Sequence, residues 1–395
     1  MATERHASRG YLAIGKETTK GTAVTPTVYV PIYDSDLWTA MNYDMADPIV
    51  GNQGELFQIN QGFRNHAGKV TFFGDPNMWG YFFNMIGVLG TETGTDPGTH
   101  PFTFPNGGSP KSYTVDVLTG VHGFRFRGVE AAELTGSFDE NQLKGEASLV
   151  GLGSFITRNI ASTTGTGPTA VTLTTNYDPS PTTGLVAGDI LQFYDVSLGT
   201  YVNGTVASIT DADTVSITQD WSSAAAGDIV TIRAASPSYS LKTTLQEARS
   251  EFRFGATAAA ALTATHTGVQ KGAGKWIMRN QAIEQHRTGS YDPASIARGR
   301  HGADIETKII FDDPVNMDRY LSNPKRALVI RHYATGTATD TYELRLTFNN
   351  IRQTEDPVKV AKDDFVYEES KWRALYDITD TQTMDVTVIN GITNI

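Results

Sequence analysis

Alternation of apolar and polar residues with a period of two is the feature of this sequence that most constrains its fold. Between residues 131 and 150 the apolar positions recur at every second residue in two runs: Ala132, Leu134, Gly136 and Phe138, then Leu143, Gly145, Ala147 and Leu149. Successive side chains of a strand point to opposite faces, so this pattern predicts a long two-faced hairpin with its turn near 140–142. The run from Tyr342 to Phe348 has the same period and predicts another two-faced strand.

The composition also favours strands over long helices. The 395 residues include 51 Thr and 38 Gly, a mixture that lowers helix propensity and suits strands joined by tight turns. With 39% hydrophobic residues, a chain of this length can bury a substantial core divided over two or three domains. We therefore expect a mainly β protein built from sandwich or barrel units.

Two short helices interrupt the β pattern, and both begin at Asp-Pro. The first is predicted to continue to about Leu89. Asp75-Pro76 and Asp313-Pro314 each provide a carboxylate that can cap free amides and a proline suited to the first helical turn. With one gap, both segments read Phe-x-Asp-Pro followed by Met-x-x-Tyr, and each stands between a β-like segment and a long hairpin region. These four residues mark a predicted tandem duplication of a β unit flanked by a short helix. Chance is the alternative, since seven of the 16 prolines follow an aspartate.

The composition changes abruptly between the two halves. Residues 161–236 contain 15 Thr, seven Asp, no Glu or Lys and one basic residue, Arg233, and so hold −6 of the −11 net charge. Such a break predicts an inserted β domain, either Ig-like or a small barrel. The predicted division is an N-terminal arm at 1–32, a first unit at 33–160, the insert at 161–236 and a second unit at 237–395.

Residues that would carry catalysis or hold a cofactor are not evident in the sequence. It contains no Cys, no Gly-x-Ser-x-Gly motif and no two His three or four residues apart. The segment from Lys271 to Lys275 lacks the spacing of a phosphate-binding loop. We therefore expect a protein that is not an enzyme, with no catalytic residue, cofactor or metal ligand.

Charge and hydropathy argue against two kinds of partner. Acidic residues outnumber basic ones by 43 to 32 without any basic block, so tight nucleic-acid binding is not expected. The most apolar run, Trp79 to Leu89, is about half as long as a membrane-spanning helix, so we expect no membrane insertion. The first fourteen residues lack the apolar segment of a signal peptide, and the chain should stay in the compartment where it is made.

The opening segment narrows the class of protein. Ile14-Gly-Lys-Glu17-Thr-Thr-Lys-Gly21-Thr-Ala-Val-Thr-Pro26, running on to Val30-Pro31-Ile32, resembles the N-terminal signature of the major tail tube proteins of long-tailed (siphovirus-type) bacteriophages. Later features resemble that family in their order: an Asp-Pro helix, the strand 111–115, the segments 279–287 and 292–299, and a closing Ala374-Leu-Tyr-Asp377. The resemblance covers the chain except for 161–236, which is similar to the accessory domains that decorate tube exteriors.

The resemblance implies a structural virion protein that assembles with itself into stacked rings, forming a tail tube around the tape-measure protein. The tail terminator and distal tail proteins would be further partners, and viral DNA would pass through the lumen without specific binding. Assembly would take place in the host bacterial cytoplasm, and the final location would be the virion tail. Single-unit proteins of this family form six-fold rings, so a duplicated chain would form trimeric, pseudo-hexameric rings; a hexameric ring of chains is the alternative.

An acidic lumen is expected for such a conduit, because carboxylates repel phosphates at short range. The polar faces of the predicted hairpins supply the lumen-facing acidic candidates: Glu133, Asp139 and Glu146, with Glu343 and Glu369 as weaker ones. The alternative is that these polar faces are ordinary exterior surface.

A carbohydrate-binding protein of the virion surface or the extracellular space is the rival function. Acidic Thr/Gly-rich β modules with exposed aromatic residues can bind sugars, and Tyr194, Tyr201 and Trp221 are the candidates in the insert. A β-structured glycosidase, using a carboxylate pair such as Glu368 and Glu369, is a third possibility.

Overall fold

The computed structural model describes most of the chain. The described residues are 10–46, 58–105, 107–119, 122–139, 141–156, 158–165, 169–174, 180, 182–195, 198–233, 237–310, 315–334, 342–355, 358–359, 367–379, 381–393 and 395. Within them the protein is mainly β, as the alternation and the composition predicted.

The first part of the chain forms strands around one buried helix. Its elements are β1 (Tyr11–Lys16), β2 (Val28–Val30), β3 (Ile32–Ser35), β4 (Trp38–Ala46), β5 (Gln58–Phe73), α1 (Pro76–Ile86), β6 (Val88–Leu89), β7 (Gly98–Pro105), β8 (Tyr113–Leu118), β9 (Gly123–Asp139), β10 (Gln142–Val150) and β11 (Gly153–Phe155). The described part of the predicted N-terminal arm packs on the chain itself: β1 is buried and pairs with β8 along its whole length.

The middle part closes into a barrel of six strands. They are β12 (Arg158–Thr164), β13 (Thr169–Leu173), β14 (Ile190–Asp195), β15 (Thr200–Ile209), β16 (Thr214–Ile217) and β17 (Ile229–Arg233), paired in the order β12-β13-β16-β15-β14-β17. The barrel has a hydrophobic core of its own, in which Trp221 packs edge-on against Phe193 at 4.7 Å. Of the two folds expected for the insert, the strands form a small barrel, and they begin three residues before the predicted boundary.

The last part of the chain returns to the first. Its elements are β18 (Leu245–Gly255), α2 (Ala258–Thr263), β19 (Lys275–Arg279), β20 (Ile283–Gln285), β21 (Ser295–Ala297), β22 (Gly302–Ile310), α3 (Val315–Ser322), β23 (Arg326–Ala334), β24 (Glu343–Glu355), β25 (Val358–Lys359), β26 (Tyr367–Ala374) and β27 (Gln382–Asn390). One hydrophobic core extends through residues of both the first and the last part.

The predicted hairpin at 131–150 is present as the second half of β9 paired with β10. Its apolar face lies on the core, and two glycines on that face stand opposite each other, Gly136 and Gly145. A Cβ at Gly136 would lie 2.3 Å from the Trp276 ring, and one at Gly145 would lie 2.1 Å from the Phe72 ring. The glycines therefore let two large rings lie flat against the sheet.

Helix α1 begins as the Asp-Pro motif predicts. The Asn77 backbone N–H donates to Asp75 Oδ1 at 2.8 Å, and Pro76 occupies the first turn. All eleven residues of α1 are buried. The helix ends at Ile86 rather than near Leu89, because Val88 and Leu89 pair as strand β6 with β7. The second motif, Asp313-Pro314, lies outside the described residues, and α3 begins directly after it.

Eight antiparallel strands form one continuous sheet in the order β4-β5-β10-β9-β19-β22-β26-β24. Strand β3 extends the β4 edge along β5, and β25 continues β24 along β26. The first halves of β9 and β24 take part in other pairings, in which β8 and β11 flank β9 and β23 and β27 flank β24. We refer to the eight strands as the main sheet.

One set of pairings occurs twice in the chain. In the first set, β1 pairs with β8, β8 with β9, β9 with β10, β10 with β5 and β5 with β4. In the second set, β18, β23, β24, β26, β22 and β19 repeat that order. A helix follows β5 in the first set and β22 in the second, so both sets share the same chain order.

Irregularities in the strands also coincide between the two sets. The register of β8 on β9 shifts between Tyr113 and Val115, and that of β23 on β24 shifts between Arg326 and Leu328. The β9–β10 register skips Ala132, and the β24–β26 register skips Thr354 at the corresponding place. These two irregularities therefore fall at matching places in the two sets.

Candidate functional site

One face of the main sheet carries a lattice of ion pairs. Arg279 on β19 reaches Glu133 on β9 at 2.7 Å and also pairs with Asp304 on β22. Arg373 on β26 pairs with the same Asp304 at 2.9 Å, and Lys371 pairs with Glu355 on β24 at 2.8 Å. Acidic and basic side chains thus alternate across five neighbouring strands. The antiparallel register places three of the pairs directly opposite one another, and the Arg279–Asp304 pair is diagonal.

Four of the predicted acidic residues lie on this face. Glu146 accepts a hydrogen bond from Lys69 at 2.8 Å, Asp139 pairs with Lys144, and Glu133 pairs with Arg279. The register of β22 on β26 sets Glu369 opposite Lys308 on the same side of the sheet. The polar face therefore balances its carboxylates with cations, which the sequence pattern of single strands did not reveal.

Glu343, the fifth candidate, does not belong to this face. It lies in the first half of β24, outside the main sheet, and is only 4% exposed. Its carboxylate accepts two hydrogen bonds from Arg331, at 2.7 and 3.0 Å. A buried, fully paired carboxylate cannot line a lumen, so this residue leaves the set of candidates.

Hydrogen bonds between charged groups on this face shift the pKa values of two of its residues, Asp304 and Lys69. Burial opposes ionisation of Asp304, but hydrogen bonds from Arg373 and Arg279 outweigh it and hold the pKa of that carboxyl below its usual value. The hydrogen bond from Lys69 to Glu146 likewise raises the pKa of Lys69. Both shifts favour the charged forms of Asp304 and Lys69.

The opening segment, which resembles a family signature, forms a tight turn in which both carboxylate oxygens of Glu17 accept hydrogen bonds. Glu17 is buried and accepts hydrogen bonds from the backbone N–H groups of Gly21 and Gly128, both at 2.8 Å. The hydroxyls of Ser112 and Thr114 donate to the same carboxylate at 2.8 and 3.0 Å. Glu17 therefore fixes the start of the chain on β8 and β9, a role that no pattern in the sequence indicated.

Two segments distant in sequence meet at another buried carboxylate. Glu130 on β9 is fully buried and pairs with Lys20 at 2.6 Å and with Arg298 at 2.6 Å. Lys20 belongs to the opening segment, and Arg298 belongs to the segment 292–299. The ion triad thus ties the first part of the chain to the last across the β9–β19 pairing.

The β20–β21 hairpin supports the seam between the two sets. Glu284 Oε1 accepts a hydrogen bond from the His66 backbone N–H at 2.6 Å, and His66 Nε2 lies 3.2 Å from Asp292 Oδ1. Beneath the hairpin, Ala282 and Ile296 pack on Leu152, just after β10. The seam therefore combines strand pairing, polar contacts and a small apolar cluster.

A cleft occupies the corresponding place on the second set. It has a volume of about 650 Å³ and is lined by residues that include Gln281, Arg300, His301, Ala303, Leu375 and Tyr376. Leu375 and Tyr376 are 39% and 41% exposed. This cleft lies at the ends of β19, β22 and β26, where it also contains Arg279, Asp304 and Arg373 of the ion-pair lattice.

Both edges of the main sheet are free within the described chain. Strands β3 and β4 pair with β5 and with no other described strand. On the opposite edge, β23 pairs with β24 only as far as Ile351, and the described residues beyond that point have no strand partner on the β23 side. Free edges of this kind are templates for pairing with another chain.

The aromatic residues proposed for sugar binding divide into two groups. Trp221 is fully buried in the barrel core, so the expectation of an exposed ring is wrong. Tyr194 and Tyr201 form an edge-on pair at 5.0 Å on the outside of β14 and β15, with Tyr194 43% exposed. Burial of Trp221 follows from closure of the barrel, which a strand pattern alone does not establish.

Comparison with known proteins does not assign this chain to a family. No protein-family model matches this sequence, and no curated protein matches it significantly. Among the described residues, no group of three His, Asp or Glu side chains could hold a metal ion. Nor does that part of the chain contain a helix of the length and apolarity needed to cross a membrane.

Proposed function

We propose that this chain is the structural subunit of a phage-type tail tube, assembling into rings that stack around a conduit for DNA. One observation carries the proposal: the main sheet takes four strands from each of two matching sets and ends in two free edges. A subunit of that design can extend its sheet by pairing with further copies of itself.

Tandem duplication is part of this proposal. The two sets share chain order, pairing order and the positions of two register shifts, which independent origin would not require. A chain that holds two ring units closes a pseudo-six-fold circle with three copies, and a hexameric ring of chains remains the alternative. The predicted units 33–160 and 237–395 each contain most of one set.

Closure through the main sheet gives a barrel wide enough to serve as a conduit. Three copies of an eight-stranded sheet supply about 24 strands, more than the 16 to 18 of barrels that already hold an aqueous channel. At about 4.8 Å between strands, the circumference is about 115 Å and the width at least about 37 Å before strand tilt is counted. The core-facing side of the sheet is closed by α1 and its aromatic contacts, so the polar face would line the lumen.

The ion-pair lattice suits a wall past which DNA slides. Cations that are already paired with carboxylates offer few free phosphate contacts, and each such contact would add a counterion-release contribution to affinity. The wall would therefore hold viral DNA neither specifically nor tightly. The tape-measure, tail terminator and distal tail proteins are the further partners of this proposal, and the virion tail is the proposed location.

Electron microscopy and native mass spectrometry of the purified protein test this function. We expect rings or tubes of uniform width, and rings that contain three chains. A protein that stays monomeric at high concentration, alone and together with tail initiation components, would contradict the proposal. Rings of six chains would retain the tube and overturn the three-chain stoichiometry.

A further inference from the structure

We infer that the seam joining the two sets within one chain is repeated between chains. In this arrangement the β3–β4 edge of one copy pairs antiparallel with the β24–β25 edge of a second copy. The exposed side chains among residues 41–43 and 61–64 then lie against the cleft beside Leu375. The inference rests on the proposed function, because it names the surfaces through which the rings would close.

Strand correspondence identifies the two edges. Strand β19 occupies the same place on β22 that β3 and β4 occupy on β5, next to the strand that precedes the helix. Strand β9 of the first set corresponds to β24 and β25 of the second, since both pair with the returning strand, β10 or β26. Within the chain β19 pairs with β9. The corresponding partners, β4 and β24, are the two free edges.

The internal register predicts the register between copies. The pairs Arg279 with Glu133 and Lys275 with Ser137 fix the seam inside the chain. Through the matched pairings, they place Ala40 opposite Glu355 and Asp36 opposite Lys359 of the next copy. Both edges therefore offer backbone groups in the same antiparallel register as the internal seam.

Burial along the edge agrees with this correspondence. Lys275, Ile277 and Arg279 are partly exposed, while Trp276 and Met278 between them are buried. At the free edge, Leu37 and Thr39 are likewise buried, and their neighbours at 36, 38 and 40 are exposed. The β4 edge therefore presents its side chains to the two faces of the sheet with the same phase as β19.

Leu152, beside the internal seam, and Leu375, beside the free edge, differ in exposure. The difference is the one expected if a neighbouring chain is missing at Leu375. Leu152 follows β10 and is 9% exposed, because Ala282 and Ile296 of the β20–β21 hairpin cover it. Leu375 follows β26 at the corresponding place, where it lines the cleft and is 39% exposed in the part of the chain that the structure describes. Both backbones bond back to the long strand: Leu152 N–H donates to Arg127 O at 2.9 Å, and Leu375 N–H to Asn350 O at 2.8 Å.

The described residues that would cover Leu375 are 41–43 of β4 and 61–64 of β5. They come after the edge residues 36–40 as the β20–β21 hairpin comes after β19, so a second copy docked by the internal register brings them to the cleft. Among them, Met41, Tyr43 and Phe63 are exposed, with Tyr43 55% exposed. These large side chains would meet Leu375 and Tyr376, the exposed apolar residues of a cleft whose other lining is mainly polar and charged.

Disulfide trapping tests the register between copies. Because the chain contains no Cys, only the introduced cysteines can form a crosslink. The double variant Ala40→Cys/Glu355→Cys places one thiol on each edge at opposed positions. After mild oxidation of the assembled protein, we expect covalent dimers and closed trimers on denaturing gels. Glu133→Cys/Arg279→Cys is the internal standard, because it joins the template pair within one chain.

Matched variants separate the register from chance contact. Ala40→Cys/Lys359→Cys moves one thiol four residues along the edge, and we expect it to crosslink no more than the single-Cys proteins do. Leu375→Asp should raise the protein concentration needed for ring formation by about tenfold or more, since it puts a charge into a contact that becomes buried. Leu198→Asp, at an exposed position of the barrel, is its control.

The outcomes distinguish this inference from the proposed function. Rings seen by electron microscopy without crosslinking of the in-register pair, and with Leu375→Asp behaving like Leu198→Asp, would overturn the edge pairing and leave the tube intact. Closed covalent trimers without stacking would support the edge pairing and contradict the tube. A covalent ladder that reaches six chains would support the pairing and overturn the three-chain ring.

Discussion

At the scale of single residues, two buried titratable groups make stability depend on pH in opposite directions. Burial raises the pKa of Asp75 to about 6, although backbone N–H groups of Lys242 and Asn77 bond to it. Burial lowers the pKa of His332 to about 3, where it accepts a hydrogen bond from the Trp276 indole N–H at 3.2 Å. The carboxylate therefore favours folding in acid, and the imidazole favours folding at neutral pH.

The first prediction concerns Asp75→Asn, which keeps a capping side chain and removes the charge. The folded pKa of Asp75 lies above its unfolded value of 3.8, so its contribution is fully present below pH 3.8 and is lost as pH rises through about 6. Between pH 4 and 7, the unfolding free energy of the variant should gain about 2–3 kcal/mol relative to the parent. Urea unfolding at a series of pH values measures this.

A variant whose stability follows that of the parent in parallel over this range would contradict the assignment. Asp96→Asn is the control, because Asp96 is exposed and its pKa is lowered by hydrogen bonds from Lys242 and Tyr342. That control should show no gain toward neutral pH.

At the scale of elements, a buried ion cluster fastens the six-stranded barrel to the first set of strands. Arg125 on β9 donates to both oxygens of Asp116 on β8, at 2.7 and 2.8 Å. It also pairs with Asp189 of the barrel, and Thr25 Oγ1 donates to that carboxylate at 2.8 Å. The barrel is therefore docked by specific contacts rather than joined only by its two connections.

The second prediction is that Arg125→Ala undocks the barrel. It leaves the buried carboxylate of Asp189 and the largely buried one of Asp116 without their cation, a change that costs about 3–5 kcal/mol. We expect limited proteolysis near 157 and 234–236 to become faster, while rings still form, because the main sheet does not include the barrel. Arg233→Ala removes a cation on the barrel exterior and serves as the control. Proteolysis at the parental rate would show that the cluster does not hold the barrel.

At the scale of the whole molecule, the charge balance of the polar face becomes a property of the proposed lumen. Each carboxylate of Glu133, Asp139 and Glu146 neutralises a cation on a neighbouring strand. Repetition around a ring would multiply any imbalance by the number of copies. The wall is therefore sensitive to changes that leave the fold of one chain intact.

The third prediction is that Glu133→Lys/Asp139→Lys/Glu146→Lys converts the wall into a DNA-binding surface. Exposed pairs contribute little to stability, so assembly should persist. Retention of DNA by the tubes should be strongest at low salt and fall steeply as salt rises. Asp211→Lys/Asp213→Lys/Asp220→Lys makes the same change in net charge on the barrel and should not slow ejection. If the triple Lys variant ejects DNA at the parental rate at low ionic strength, then Glu133, Asp139 and Glu146 do not line the lumen.

Much of the local structure could be predicted from sequence because it depends on neighbours in the chain. The hairpin of β9 and β10, the capped start of α1 and the β character of the insert all follow from patterns within a few residues. The helix end at Ile86 was misjudged by three residues, because pairing of β6 with β7 is a tertiary contact. The same alternation located four acidic residues of one polar face. It also predicted an exposed position for Glu343, which is buried.

By itself, the sequence determined that the chain alternates apolar and polar residues, begins helix α1 at Asp75 and keeps the insert acidic. Only the tertiary structure decided which strands pair, that cations neutralise the acidic face, and that Glu17, Glu130 and Arg125 are buried ionic anchors. The physical reason is that period and capping act over adjacent residues, whereas a strand's partner, a carboxylate's counterion and a free edge are set by residues far away along the chain.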